Sequence, residues 1–180
     1  MRDQTAPLAP ISVEVLPLRV NLDGGWSYRR LVTPLLRGES PDEAARRVCG
    51  IPCGAPSTVI HSTSWRYRPE GQVVLTYAVC PDPAVQTAAI ELPAIRVARG
   101  DTPATPSPKD LGVESVVAHA IHHLAFLMTT DPVVHDALGQ IPAIAMALEG
   151  LSPAPAGKLG PRPTGLGGRP AGEDTPAASR

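Results

Sequence analysis

The sequence predicts an α+β fold in which a mixed β-sheet is flanked by helices. Three observations predict it. Stretches of β-branched, partly alternating residues recur between positions 11 and 80, whereas residues 107–148 carry apolar positions at three- and four-residue steps. Between the strand-like stretches, Ser40-Pro41-Asp42-Glu43 reads as a helix start, so one helix falls among the strands and the others follow them.

In chain order, Ile11 to Val20 suits a strand entered after a flexible start over residues 1–10. Pro17 has no N–H to give to a ladder, which places it at an edge or a bulge. The Asp23-Gly24-Gly25 turn leads to a second strand-like stretch, Tyr28 to Arg37, interrupted by Pro34. A short helix over Pro41–Cys49 follows, with Ser40 as N-cap, Glu43 closing a capping box and Gly50 ending it. Ser57–Tyr67 and Gln72–Cys80 read as a hairpin joined by Arg68-Pro69-Glu70-Gly71. Period-two alternation puts His61, Thr63, Trp65 and Tyr67 on one face and Ile60, Ser62, Ser64 and Arg66 on the other.

Residues 81–107 read as a long connection, with one weak strand at Glu91 to Arg99. Ser107 as N-cap, Pro108 and Asp110 then open a helix whose stripe comprises Val113, Val116, Val117, Ala120, Ile121, Leu124, Leu127 and Met128. Asp131-Pro132 restarts a helix to about Leu138, and Ile141 to Leu148 closes the core. The division expected is one domain over residues 11–150 and a disordered Pro/Gly-rich tail over 151–180.

Composition narrows the functional classes. With 180 residues, 43% of them apolar, the chain can bury one core. A formal net charge of −1 gives no electrostatic case for nucleic acid or an anionic membrane. No apolar run approaches the roughly 18–20 residues of a membrane span, and Met1-Arg2-Asp3-Gln4 lacks a basic-then-apolar leader, so the expected compartment is the cytoplasm. Cys49, Cys53 and Cys80 form no C-x-x-C pair and read as reduced thiols.

Two constellations carry chemistry. His119, His122, His123 and Phe126 fall within about 100° of one another on the flank of the last long helix. Such imidazoles suit a metal, a phosphate or acid–base work, yet no acidic residue lies at a ligand spacing, so no metal is expected. The second is His61-Ser62-Thr63-Ser64-Trp65-Arg66, where a guanidinium, an indole and hydroxyls can grip an anionic or aromatic ligand. Its plainer alternative is a hairpin with Trp65 and Tyr67 facing the core while Ser and Arg face water. Arg29, Arg30, Arg37, Arg46 and Arg47 form a local basic bias that reads as a solvated face.

The run Gly38-Glu39-Ser40-Pro41-Asp42-Glu43-Ala44-Ala45-Arg46-Arg47 resembles the middle of the Nudix box, and the following hairpin looks like the paired strands after the catalytic helix. The resemblance covers roughly residues 11–83 and implies a Nudix-like α/β/α sandwich. The metal-binding glutamates of that family are replaced by Val48, Ile51 and Pro52, and Thr33 stands where the box opens with glycine. Only Glu39 is left, and one carboxylate cannot assemble a magnesium cluster.

The favoured expectation is therefore a catalytically silent Nudix-like domain. It would bind a nucleotide or another phosphate anion, as a ligand-binding or regulatory module, through Arg47, His61, Trp65 and Arg66. One alternative is a divergent hydrolase built on His119, His122 and His123 with Glu114 or Asp136. Another is a protein-interaction adaptor using the His/Phe flank and the tail. No cofactor is expected; magnesium lacks its carboxylates and zinc its third ligand.

Overall fold

β1 (Ile11–Val20) is the axis of a mixed sheet in a computed structural model that describes residues 10–105, 108 and 111–151. Val13 and Val15 bury on one side of it and Leu16 and Leu18 on the other. Along one edge β1 runs parallel to β5 (Gln72–Cys80), from Ile11 opposite Val73 to Pro17 opposite Val79. Along its other edge it pairs antiparallel with β3 (Leu31–Pro34) and then with β2 (Trp26–Tyr28). With β4 (Val59–Arg68) outside β5 and β6 (Ile90–Leu92) outside β2, the order is β4-β5-β1-β2-β6, and β3 lies beside β1.

The expected strand over Tyr28–Arg37 is thus two short strands broken at Arg29-Arg30. That break also corrects the placement of Pro17, which lies in a central strand rather than at an edge or a bulge. Pairing with β3 ends at Val15 and pairing with β2 begins at Leu18, so Pro17 falls in the gap between partners. Its missing N–H is not needed there, and its carbonyl accepts from the Arg29 N–H at 3.0 Å.

α1 (Pro41–Cys49) forms where the capping signals put it. Ser40 Oγ accepts from the Glu43 N–H, the Ser40 N–H donates to Glu43 Oε2 at 2.8 Å, and Gly50 ends the helix at φ +66°. Ala44 and Ala45 bury against Val13, Val15, Tyr77 and Val79, and Tyr77 Oη donates to Asp42 Oδ1 at 2.6 Å. Ser40→Ala is expected to cost about 1 kcal/mol, read as a lower denaturant midpoint with an unchanged slope.

The hairpin of β4 and β5 is present, with one irregularity that the alternation did not foresee. The register shifts between Ser62 and Ser64, leaving Thr63 as an extra residue in β4. Beyond this bulge every side chain changes sides. Ser64 and Arg66 join His61, while Trp65 and Tyr67 turn to the other face and are 70% and 60% exposed. The reading that buried Trp65 and Tyr67 and left Arg66 in water is reversed.

The face opposite α1 is covered by α2 (Val113–Thr130), α3 (Pro132–Gly139) and α4 (Pro142–Glu149). Val116, Val117, Ala120, Ile121 and Leu124 of α2 bury with Leu16, Leu18, Ala78 and Cys80 of the sheet. Helices on both faces confirm the expected mixed sheet flanked by helices. Asp131 caps α3 by accepting from the Val133 N–H at 2.9 Å. α2 begins at Val113 after Gly112, later than the start expected at Ser107. Pro108 is not helical, and Ser107 and Asp110 lie outside the described residues, as do residues 1–9 and 152–180 of the two expected flexible ends. In the connection, only Ile90–Leu92 is strand rather than Glu91 to Arg99. No helix among the described residues is long and apolar enough to cross a membrane.

Candidate functional site

Glu14 is a fully buried charge in β1, on the α2 face of the sheet. Arg66 reaches it from β4 with two parallel bonds of 2.7 Å, Nη1 to Oε2 and Nη2 to Oε1. Arg30, from the break between β2 and β3, donates Nε to Oε1 at 2.7 Å, and Thr76 Oγ1 adds a bond of 3.3 Å. Burial pushes the Glu14 carboxyl up, but the hydrogen bonds and charges of Arg66 and Arg30 outweigh it and hold the group below its usual range. The carboxylate is therefore ionised at neutral pH, and one negative charge faces two positive ones.

Above this triad lies a cleft of about 300 Å³ lined by Glu14, Arg30, Arg66, Arg68, Leu111, Val113 and Val116. Arg68 makes no ion pair with any described residue, which leaves a local excess of two positive charges. The guanidinium forks match phosphate and carboxylate oxygens. Sequence reasoning named Arg66 and missed Glu14 and Arg68; it placed Arg29 and Arg30 on a solvated basic face, whereas both are paired with buried carboxylates. The signal for Glu14 was a lone charge inside the apolar strand Ile11–Val20, since a buried carboxylate requires basic partners.

The histidines assemble next to this cleft. The His123 and His61 ring centroids are 5.0 Å apart, and Phe126 lies 6.3 Å from His123. His119 donates Nε2–H to the Thr63 carbonyl at 3.3 Å, one consequence of the bulge. His122 is half-buried on the same helix. Both ring nitrogens of His123 are buried without a hydrogen-bond partner in the described structure. Burial, and then the charges of His61 and His119, push its pKa down to about 4.

The folded state thus keeps His123 neutral where an unfolded chain, with a pKa near 6.5, takes up a proton. Stability is complete above pH 6.5 and declines as pH falls toward 4. The full shift would be worth about 3 kcal/mol, and the partial exposure of the ring reduces this to about 2 kcal/mol. His123→Leu is expected to flatten that decline, measured as denaturant midpoints of both proteins between pH 7 and pH 4. Equal slopes in both would refute the assignment.

The remaining candidates lie apart. Glu39 and Arg47 hold each other, Nε to Oε1 at 2.6 Å and Nη2 to Oε2 at 2.9 Å, and Glu39 also accepts from the Leu36 N–H. These bonds bring the Glu39 pKa down to about 2. The pair belongs to the α1 side of the sheet, so Arg47 does not meet His61 and Arg66, whereas Trp65, exposed on the outer strand β4, lines a pocket together with Arg66 and His119. Glu114 is exposed in the first turn of α2, and Asp136 faces His135 rather than the histidine group. Among the described residues, no group of three or more His, Cys, Asp or Glu side chains is placed to hold a metal ion. Burial pushes the thiols of Cys49 and Cys80 up to about 11 and about 12, so both are protonated at neutral pH. No protein-family model matches the chain, and no curated protein matches it.

Proposed function

We propose that the protein is a non-catalytic module that binds a small phosphate- or carboxylate-bearing anion in the cleft of Arg30, Arg66 and Arg68. The observation that carries this reading is that a buried carboxylate aligns two of the three guanidiniums while the cleft keeps a net positive charge. Arg30 retains both Nη groups and Arg68 its whole fork for a ligand. The reading agrees with the anionic ligand that the Nudix resemblance implies, and moves that ligand from α1 to the far face of the sheet. It uses no acid–base step, since no carboxylate or neutral imidazole lines this cleft besides the doubly paired Glu14.

Arg68→Ala tests it. Because Arg68 has no ion pair to lose among the described residues, the melting temperature is expected to stay within a degree or two. Affinity for pyrophosphate should fall about tenfold or more, the worth of one or two charge-assisted hydrogen bonds. Titration calorimetry at low salt reads both proteins, with Arg47→Ala as the variant expected to bind normally. Unchanged affinity in Arg68→Ala, or loss in Arg47→Ala, would sink the reading.

A further inference from the structure

The arginine cleft does not end at its charged walls. It shares Arg66, Leu111 and Val116 with a second pocket of about 160 Å³, which adds Val97, Ala98, Ser115 and His119 to the lining. The two pockets differ in character. The first is walled mainly by charge, whereas Val97, Ala98, Pro108, Leu111, Val116 and Trp65 give the second a mainly apolar lining. Arg66 stands at the junction, with its guanidinium directed to Glu14.

Resting on the anion-binding reading, we infer that the ligand is an anion attached to a single six-membered ring or an apolar chain of the same bulk. The head is held by Arg30, Arg66 and Arg68, and the apolar part enters the pocket beside His119. Size sets the limit. A closed cavity of about 150 Å³ accepts one benzene ring, so 160 Å³ is room for one ring. Chemistry sets the orientation, since an apolar group gains by leaving water on the Val97/Val116 side, and an anionic group would be unpaired there. The His119 ring, tied through Nε2 to the Thr63 carbonyl, forms a fixed wall against which an aromatic ligand ring can lie.

The experiment is calorimetry of the full chain with two matched pairs of probes, phosphate with phenyl phosphate and acetate with benzoate. ADP is compared with pyrophosphate in the same way. The ringed member of at least one pair is expected to bind tenfold or more tightly than its ring-free partner. Ala98→Leu, which fills the second pocket, should remove that gain and leave phosphate affinity unchanged. Ser115→Leu repeats the test from the α2 wall in case Ala98→Leu disturbs the loop. Equal affinity within both pairs overturns the ligand class while leaving the anion site standing. Failure of all the probes to bind overturns the anion site itself. ADP binding more tightly than pyrophosphate, with the advantage lost in Ala98→Leu, overturns the one-ring limit.

Discussion

Glu14→Gln is expected to destabilise the protein by about 3 kcal/mol, the largest effect of any single polar substitution on the α2 face. Removing one charge of a buried pair costs about 3–5 kcal/mol, because the partner stays behind without compensation. Arg66 is 24% exposed and Arg30 39%, so both can turn partly toward water, which places the cost at the low end. Replacing Glu14 and Arg66 together by Leu and Met should recover more than half of the loss, since only the half-exposed Arg30 is then left without its partner. Denaturant midpoints of the single and double variants measure this. A single variant within 1 kcal/mol of the parent would show that the triad is not what holds these strands. The pH dependence has a definite sign. A carboxyl held below its usual range stabilises above the unfolded pKa of about 4, and the contribution is lost as pH falls further.

Asp82→Asn is expected to cost a similar amount, about 3 kcal/mol, at the other end of the sheet. Asp82 is buried and accepts from Arg29 Nε at 2.9 Å, from Arg29 Nη2 at 2.6 Å, from Arg19 Nη2 and from the Ala84 N–H. Arg19 also donates to the carbonyls of Ala84, Val85 and Thr87, so one ion network ties the 82–87 loop to β1. Burial raises the Asp82 pKa, but the Arg29, Ala84 and Arg19 bonds bring it down to about 2. Its stabilisation is therefore present above pH 4 and disappears between about pH 4 and pH 2. The substitution should also expose the 82–87 segment to limited proteolysis under conditions that leave the parent intact. Retained stability and retained protease resistance would refute the assignment.

The legible parts of this fold are those whose signal is local. Ser40, Pro41 and Glu43 announce α1 because both halves of a capping box sit within four residues, and Asp131-Pro132 announces α3 because a capping carboxylate directly precedes a proline at the first helical position. The hairpin is legible because its turn and its two alternating strands are adjacent in sequence. The true N-cap of α2, Gly112, has no side-chain cap, so the sequence offers no mark there, and Ser107 supplied a better-looking one five residues early. The Thr63 bulge is silent for another reason. In Ser62-Thr63-Ser64 every residue tolerates either face, so nothing in the composition shows where the period slips. That slip alone moved Arg66 from the expected solvent side to Glu14. The rest of the site was illegible because Glu14, Arg30 and Arg68 come from separate places in the chain and meet only across β1 and β5.

The parallel pairing of β1 with β5 also sets a waiting time. Ile11 lies opposite Val73, so the partner residue is made 62 positions later. At about 5–20 residues per second, a ribosome spends roughly 3–12 s between the two. During that interval β1 can pair only with the segment of β2 and β3, which leaves its whole opposite edge open. The nascent chain therefore carries an unfinished strand edge for seconds, and the first moment at which the sheet can close is the emergence of the β4–β5 hairpin.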